Sequence, residues 1–365
     1  MSQSKLKTAV LGLDDGGQLL LKAATQTDYF QIQAVADSDM ALAEKTSDEY
    51  RCAFYDDYRQ LVIQNQLDCL LVAAGMYSCE KQIRTAMKKK FNVLKLAPAA
   101  RNFEEADEFV QLAKDENIKF AVANPLRFAQ SFLTLGDFLQ QRRIDQVFLI
   151  TAFCNFGQSH QQDKKHPKEL STAQRVWQTD PKLAGGGVLL RNCYGMIDQI
   201  ILNFGVPEQI YSLNMNQAQD KQQRLYLAED TAVITMKFND VLIGNIIAFQ
   251  RDGIGPREEL LRIYGKDKVL TVNDRKLAVS DGLEQNVEKF EYDDEELYRM
   301  TRQLANFALS ILLPTEHKIN STGEENLKVM AVIDSAYLSA RTGMPEEPGR
   351  ILKMAQRRAD TPADI

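Results

Sequence analysis

Thr8-Ala-Val-Leu-Gly-Leu-Asp-Asp-Gly-Gly17 decides the fold. Residues 8–11 are a short apolar run of the kind a buried parallel strand needs. A turn rich in Gly and Asp follows, and residues 18–27 read as a helix. Residues 30–37, Phe-Gln-Ile-Gln-Ala-Val-Ala-Asp, read as a second strand ending on an acid. Strand, tight turn, helix, strand and terminal acid is the layout of a dinucleotide-binding βαβ unit. Gly12 suits the tight turn and Gly17 the close packing of helix on sheet. Asp37, 20 residues beyond Gly17, suits the ribose hydroxyls.

The middle glycine of that pattern is missing: Asp14 takes its place and Asp15 follows. Backbone normally approaches a pyrophosphate here, at the helix N-terminus. A carboxylate adds bulk and like charge. At about 5 Å and an effective dielectric near 20, each charge pair costs roughly 3 kcal/mol, on the order of a hundredfold in affinity. Asp14 and Asp15 can instead accept the free N–H groups of the first helical turn, so that the site carries its own anion. Dinucleotide binding at Gly12, Asp14, Gly17 and Asp37 is therefore expected to be weak or lost. A helix-capping turn in an α/β domain that binds nothing is the alternative.

Working outward, 365 residues leave room for two domains, and 44% hydrophobic with 26% charged residues is the balance of a globular protein. A net charge of −6 argues against nucleic acid or an anionic membrane as partner. The five cysteines (52, 69, 79, 154 and 193) show no paired spacing and read as buried free thiols, which fits a reducing cytoplasm. Residues 1–7 run straight into the first strand and no apolar run is long enough to cross a bilayer, so neither signal peptide nor anchor is expected.

Helices are expected at 40–51, 55–64, 80–90 and 103–117, alternating with strands at 68–74, 91–96 and 119–123. That alternation predicts an α/β, Rossmann-type doubly wound parallel sheet over residues 1–123, whose ligands sit beyond the strands' C-terminal ends. The basic run 88–90 is expected to complement its helix C-terminus and face water. From residue 124 the texture changes. A helix at 128–143 is followed by strand-like runs at 146–154, 208–218, 229–238, 241–250 and 258–264, then helices at 293–312 and 327–341. Strands following strands predict an α+β domain over 124–345 with a large, mainly antiparallel sheet, and 346–365 reads as a tail. In 241–250, Val241, Ile243, Ile247 and Phe249 share one face, Leu242, Ile246 and Ala248 the other. A sheet apolar on both faces needs cover on both, and a homo-oligomer built on this sheet is expected to supply one of them.

Four stretches together resemble the glucose-fructose oxidoreductase, inositol dehydrogenase and MocA family of NAD(P)-dependent oxidoreductases. They are the βαβ opening, Lys90-Phe-Asn-Val-Leu-Lys-Leu-Ala-Pro98, Trp177-Gln-Thr-Asp-Pro-Lys-Leu-Ala-Gly-Gly-Gly187 with Ile197-Asp198, and Ala336-Tyr-Leu-Ser-Ala-Arg-Thr-Gly343. The resemblance spans about residues 5 to 350 and implies NAD or NADP as cofactor and no metal. Its chemistry does not carry over. The family's catalytic Lys falls on Ala97 and the preceding Glu on Leu96. The acid after the triple glycine falls on Arg191, the catalytic His on Gly195, and the His after the fourth strand on Cys79. Loss of one acid/base group typically costs about 10² to 10⁴ in rate.

Lys95 faces the same side of its strand as Ala97 and is the candidate replacement base. The alternative is a lysine snorkelling out of the sheet edge. Arg191 changes the sign of the pocket and, with Tyr194, Trp177, Arg127, Lys95 and Pro98, suits a small anionic ligand such as a sugar derivative. The alternative is an Arg paired with a carboxylate of the protein. His160 and His166, in the polar loop 155–169, read as solvated rather than metal-binding. The leading expectation is a catalytically degenerate family member, a pseudoenzyme, that binds a ligand or partner in the old active-site cleft. A working oxidoreductase with relocated acid/base groups and a structural subunit of an active paralogue are the alternatives.

Overall fold

The computed structural model of the chain describes residues 5–157, 177, 180–216, 228–250, 256–281 and 287–360. They fall into two units, one of residues 1–100, 104–128 and 295–326, the other of residues 101–103, 129–294 and 327–365.

The first unit is built on six parallel strands: β1 Leu6–Leu11, β2 Phe30–Ala36, β3 Ala53–Tyr55, β4 Cys69–Val72, β5 Asn92–Leu96 and β6 Phe120–Ala123. Their order is β3-β2-β1-β4-β5-β6, so the winding reverses between β1 and β4, where ligands of such sheets bind. Val10, Leu71 and Leu94 are fully buried, as strands covered on both faces require. The helix Glu296–Leu312, expected with the second domain, belongs to this unit instead. Its stripe of Met300, Leu304, Phe307 and Ala308 joins one core with Leu20, Leu21 and Ala24 of the helix Asp15–Thr25. A stripe of that spacing fixes a buried face without saying which sheet it meets. In the basic run 88–90, Lys88 and Lys90 are exposed as expected, but Lys89 is not. Lys89 donates to the carbonyls of Val62 (2.9 Å), Ile63 (3.0 Å) and Asn65 (2.8 Å), capping the neighbouring helix Tyr58–Gln64 rather than facing water.

The second unit carries an eight-stranded sheet: β7 Leu149–Asn155, β8 Gln209–Met215, β9 Thr231–Lys237, β10 Ile243–Phe249, β11 Glu258–Tyr264, β12 Lys268–Val272, β13 Lys276–Asp281 and β14 Val287–Glu291. The order is β14-β13-β12-β11-β7-β10-β9-β8, and only the β7–β10 pair is parallel. One face holds Ile150, Ala152, Ile234, Ile246, Ala248 and Leu261, all buried, under helices that include Gln130–Gln140 and Val188–Arg191. The other face carries exposed apolar side chains among the described residues. There Leu213, Val233, Ile247, Phe153 and Leu260 line up across five adjacent strands, and Ile243 remains 51% exposed. The segment expected as a tail contains a further helix, Pro348–Asp360. Pro348 opens it, a position where a missing N–H costs nothing.

No helix among the described residues is long and apolar enough to cross a membrane. The five cysteines are free, four of them buried.

Candidate functional site

The turn after β1 is closed by its own side chains. Asp14 is the N-cap of the helix Asp15–Thr25, and its Oδ1 accepts the N–H groups of Gly16 (3.1 Å) and Gly17 (3.2 Å). The N–H of Gln18 goes to the Asp14 carbonyl (2.9 Å), so the amides from Gly16 to Gln18 are all engaged internally. Gly12, at φ +83°, lies so close to Ala74 that a Cβ would meet its nitrogen at 2.5 Å, and a Cβ on Gly17 would meet the Gly12 carbonyl oxygen at 1.9 Å. A Cβ on Gly16 would meet Leu96 Cδ1 at 2.7 Å, so an apolar side chain lies against the turn. Asp37 Oδ2 accepts the Leu13 N–H (2.7 Å) and Oδ1 the Asp39 N–H (2.9 Å). Burial raises the pKa of Asp14, the two amides oppose it, and the Asp37 and Asp15 charges add to it. These residues do not fit a pyrophosphate: the amides that would receive it already hold a carboxylate.

Lys95 is neither at the sheet edge nor free. It is 4% exposed, and its Nζ donates to the carbonyls of Leu96 (2.9 Å) and Pro98 (2.7 Å). Burial lowers its pKa, with Cys79 and Glu105 opposing. Ala97 follows with nothing to titrate. The Cys79 thiol is buried and donates to the Ala74 carbonyl at 3.3 Å. Arg127, expected beside Arg191, belongs to the first unit and has its guanidinium on Glu325.

In the second unit the triple glycine makes room for two side chains. Gly185 has φ +83°, and an added Cβ would meet the Arg101 carbonyl oxygen at 2.3 Å. A Cβ on Gly186 would meet Tyr337 Oη at 2.0 Å, and one on Gly187 the Glu229 carbonyl oxygen at 1.8 Å. Glu229 Oε2 accepts the Gly187 N–H (2.8 Å). Its Oε1 accepts the Leu189 N–H (2.9 Å) and the Tyr337 hydroxyl (2.9 Å). The carboxylate thus caps the short helix Val188–Arg191. Burial raises the pKa of Glu229, opposed by the Leu189 amide, the Tyr337 hydroxyl, its own amide and the Gly187 amide, and burial together with Glu229 pushes Tyr337 up.

Arg191 ends that helix half-buried. Its Nε is buried without a hydrogen-bond partner, and its guanidinium makes no ion pair among the described residues. Burial lowers its pKa, partly offset by Glu229. Asn192 Oδ1, one residue on, is likewise buried and unpartnered. Tyr194 is buried at the start of the helix Tyr194–Phe204, whose next residue is Gly195. Trp177 is half-buried and its carbonyl accepts the Asp180 N–H at 3.3 Å. His160 and His166 lie outside the described residues. Among the described residues no group of three or more His, Cys, Asp or Glu could hold a metal ion.

Asn192, Glu229 and Tyr337 escaped the sequence reading. Tyr337 lies in 336–343, one of the stretches that carry the resemblance, but nothing in the sequence pairs it with the triple glycine. Glu229 read as the first residue of a strand. Asn192 stood beside the one residue whose charge had changed.

Two family models match the chain: oxidoreductase family, NAD-binding Rossmann fold, over residues 6–124, and oxidoreductase family, C-terminal alpha/beta domain, over residues 137–347. No curated protein matches. Among solved structures, an oxidoreductase from Agrobacterium radiobacter in complex with NAD+, L-tartaric acid and magnesium is 15% identical, with a TM-score of 0.79 over 95% of this chain and 100% of that one. The WlbA dehydrogenase from Bordetella pertussis, in complex with NADH and UDP-GlcNAcA, is 16% identical, with a TM-score of 0.75 over 94% and 99%. A levoglucosan dehydrogenase in complex with NADH is 14% identical, with a TM-score of 0.81 over 94% and 99%. At such identities the likeness is one of fold.

Proposed function

Since the chain belongs to the Gfo/Idh/MocA oxidoreductase family, we propose that it keeps that family's two-domain scaffold as a non-redox member and binds a small hydroxylated anion at Arg191 and Asn192. The observation that carries this is the pair of unpartnered polar atoms at adjacent residues, Arg191 Nε and Asn192 Oδ1. A buried polar group without a partner costs about 1–3 kcal/mol, which a ligand that pairs with both recovers. A carboxylate suits the guanidinium, whose planar donors match its two oxygens. A hydroxyl suits the Asn192 oxygen. The Agrobacterium neighbour, solved with L-tartaric acid, holds a ligand of this class.

Hydride chemistry is not part of this reading. Abstraction of a hydroxyl proton needs a positioned base, and Ala97 and Gly195 offer none. Lys95 is a poor substitute, because its hydrogens are directed at two backbone carbonyls. Thermal melting tests the reading. Tartrate and glucuronate at fixed ionic strength should raise the melting temperature, and myo-inositol and glucose should not. A ligand at 100 times its dissociation constant adds about 2.7 kcal/mol. Equal shifts for acids and neutral polyols would refute the anion preference.

For assembly, we propose a second copy of the chain on the exposed apolar face of the eight-stranded sheet. Eight strands of five to seven residues, at about 3.3 Å per residue and about 4.8 Å between strands, give a face of roughly 800 Å². That is close to the ~800 Å² per partner of a standard interface, and an apolar row running from β11 to the edge strand β8 is the kind of patch that marks one.

A further inference from the structure

The first unit is the family's NAD-binding domain by sequence, and its turn does not fit the group that such a domain holds. We infer that the turn is permanently occupied by its own Asp14 carboxylate and takes up no pyrophosphate, so that the dinucleotide site is self-liganded rather than merely worn.

Four observations carry this. Asp14 Oδ1 sits on the Gly16 and Gly17 amides at 3.1 and 3.2 Å, the donors with which the first turn of such a helix grips a phosphate. The Gln18 amide is also engaged, on the Asp14 carbonyl at 2.9 Å. Asp37, which would receive the ribose, accepts the Leu13 amide at 2.7 Å and so fastens the turn from the far side. Leu96 lies against Gly16, its Cδ1 2.7 Å from where a Cβ would stand, and adds apolar surface beside the turn. An incoming pyrophosphate must displace a carboxylate from its hydrogen bonds and then sit beside it, so occupancy and charge both oppose it. The remaining glycines, Gly12 and Gly17, keep their packing role against Ala74 and the Gly12 carbonyl whether or not anything binds, which is why the pattern survives at those two positions.

The inference concerns the first unit alone. Its failure would leave the Arg191 reading intact, and a failure to bind acids would leave this inference intact. The test is a fluorescence titration of NADH, and separately NADPH, into the full chain at fixed ionic strength, for wild type, Asp14→Asn and Asp14→Gly. Wild type should show no saturation up to about 1 mM, the range of the weakest specific binding. Asp14→Gly, which removes both plug and charge, should bind at least about tenfold tighter, and Asp14→Asn, which keeps the seat filled without the charge, should fall between. Asp14→Ser keeps a neutral N-cap and serves if the glycine variant melts early. Saturation of wild type at micromolar NADH would overturn the inference. So would folded Asp14→Gly and Asp14→Ser chains, judged by circular dichroism, that bind no better than wild type.

Discussion

Lys95 donates to the carbonyl of Pro98 at 2.7 Å, from a side chain almost wholly buried at the end of β5. With a second bond to Leu96 at 2.9 Å, the lysine braces the exit of the strand where the family's reactive residues would stand. It is a structural lysine in a position that sequence alone offers as a base.

Lys95→Ala should therefore destabilise the first unit by about 2–5 kcal/mol, through a cavity and two carbonyls left without donors. Urea denaturation measures it. Lys95→Met keeps most of the volume and isolates the charge. The folded pKa of Lys95 is depressed by burial, so its unfolded form binds the proton more tightly. Its contribution to stability is full above the unfolded pKa, given by the ordinary value of 10.5, and is lost as pH falls through the folded pKa. The gap between wild type and Lys95→Met should widen in favour of wild type as pH rises toward that value. A gap independent of pH would contradict a buried lysine.

Glu229 accepts two amides and the Tyr337 hydroxyl, so Glu229→Gln should cost about 1–3 kcal/mol by facing an amide group toward a donor. Tyr337→Phe should cost nearer 1 kcal/mol. The folded pKa of Glu229 is raised by burial. Its contribution is therefore complete below the unfolded value of 4.5 and declines as pH rises through the folded one. The penalty of Glu229→Gln should be larger at pH 4.5 than at pH 7.5, and the reverse order would be inconsistent with this burial.

On the eight-stranded sheet, Ile243 is 51% exposed and Ile246 fully buried. Ile243→Glu and Ile247→Glu should convert an oligomer to a folded monomer in light scattering, whereas Ile246→Glu should unfold the second unit by burying an unpaired charge. A monodisperse wild-type monomer at micromolar concentration would count against assembly on this face.

Five strands of the first sheet were legible because each is a short, largely apolar run between helical segments, and a βαβ alternation leaves few topologies. The three-residue β3, Ala53–Tyr55, was not foreseen, since residue 55 reads as the start of the helix that begins at Tyr58. Capping of this helix by Asp14 or Asp15 was legible too, since both acids stand at its start, and the structure assigns the cap to Asp14, two and three residues before the Gly16 and Gly17 amides. Strands β12 to β14 were not foreseen. Lys268–Val272 and Lys276–Asp281 mix charges with apolar residues and are joined by a three-residue turn, so neither run stands out. The allegiance of Glu296–Leu312 to the first unit could not be read from its stripe. Nor could the isolation of Arg191, because nothing local distinguishes an Arg with a distant carboxylate partner from one without.

The central claim is that Arg191 and Asn192 hold an anion, and isothermal titration of tartrate into wild type, Arg191→Gln and Asn192→Ala tests it most directly. Wild type should bind saturably, Arg191→Gln at least about tenfold more weakly, in line with loss of a charge-assisted hydrogen bond of about 1.5–3 kcal/mol, and Asn192→Ala with a smaller loss. Equal affinities for wild type and Arg191→Gln, with both chains folded, would contradict it.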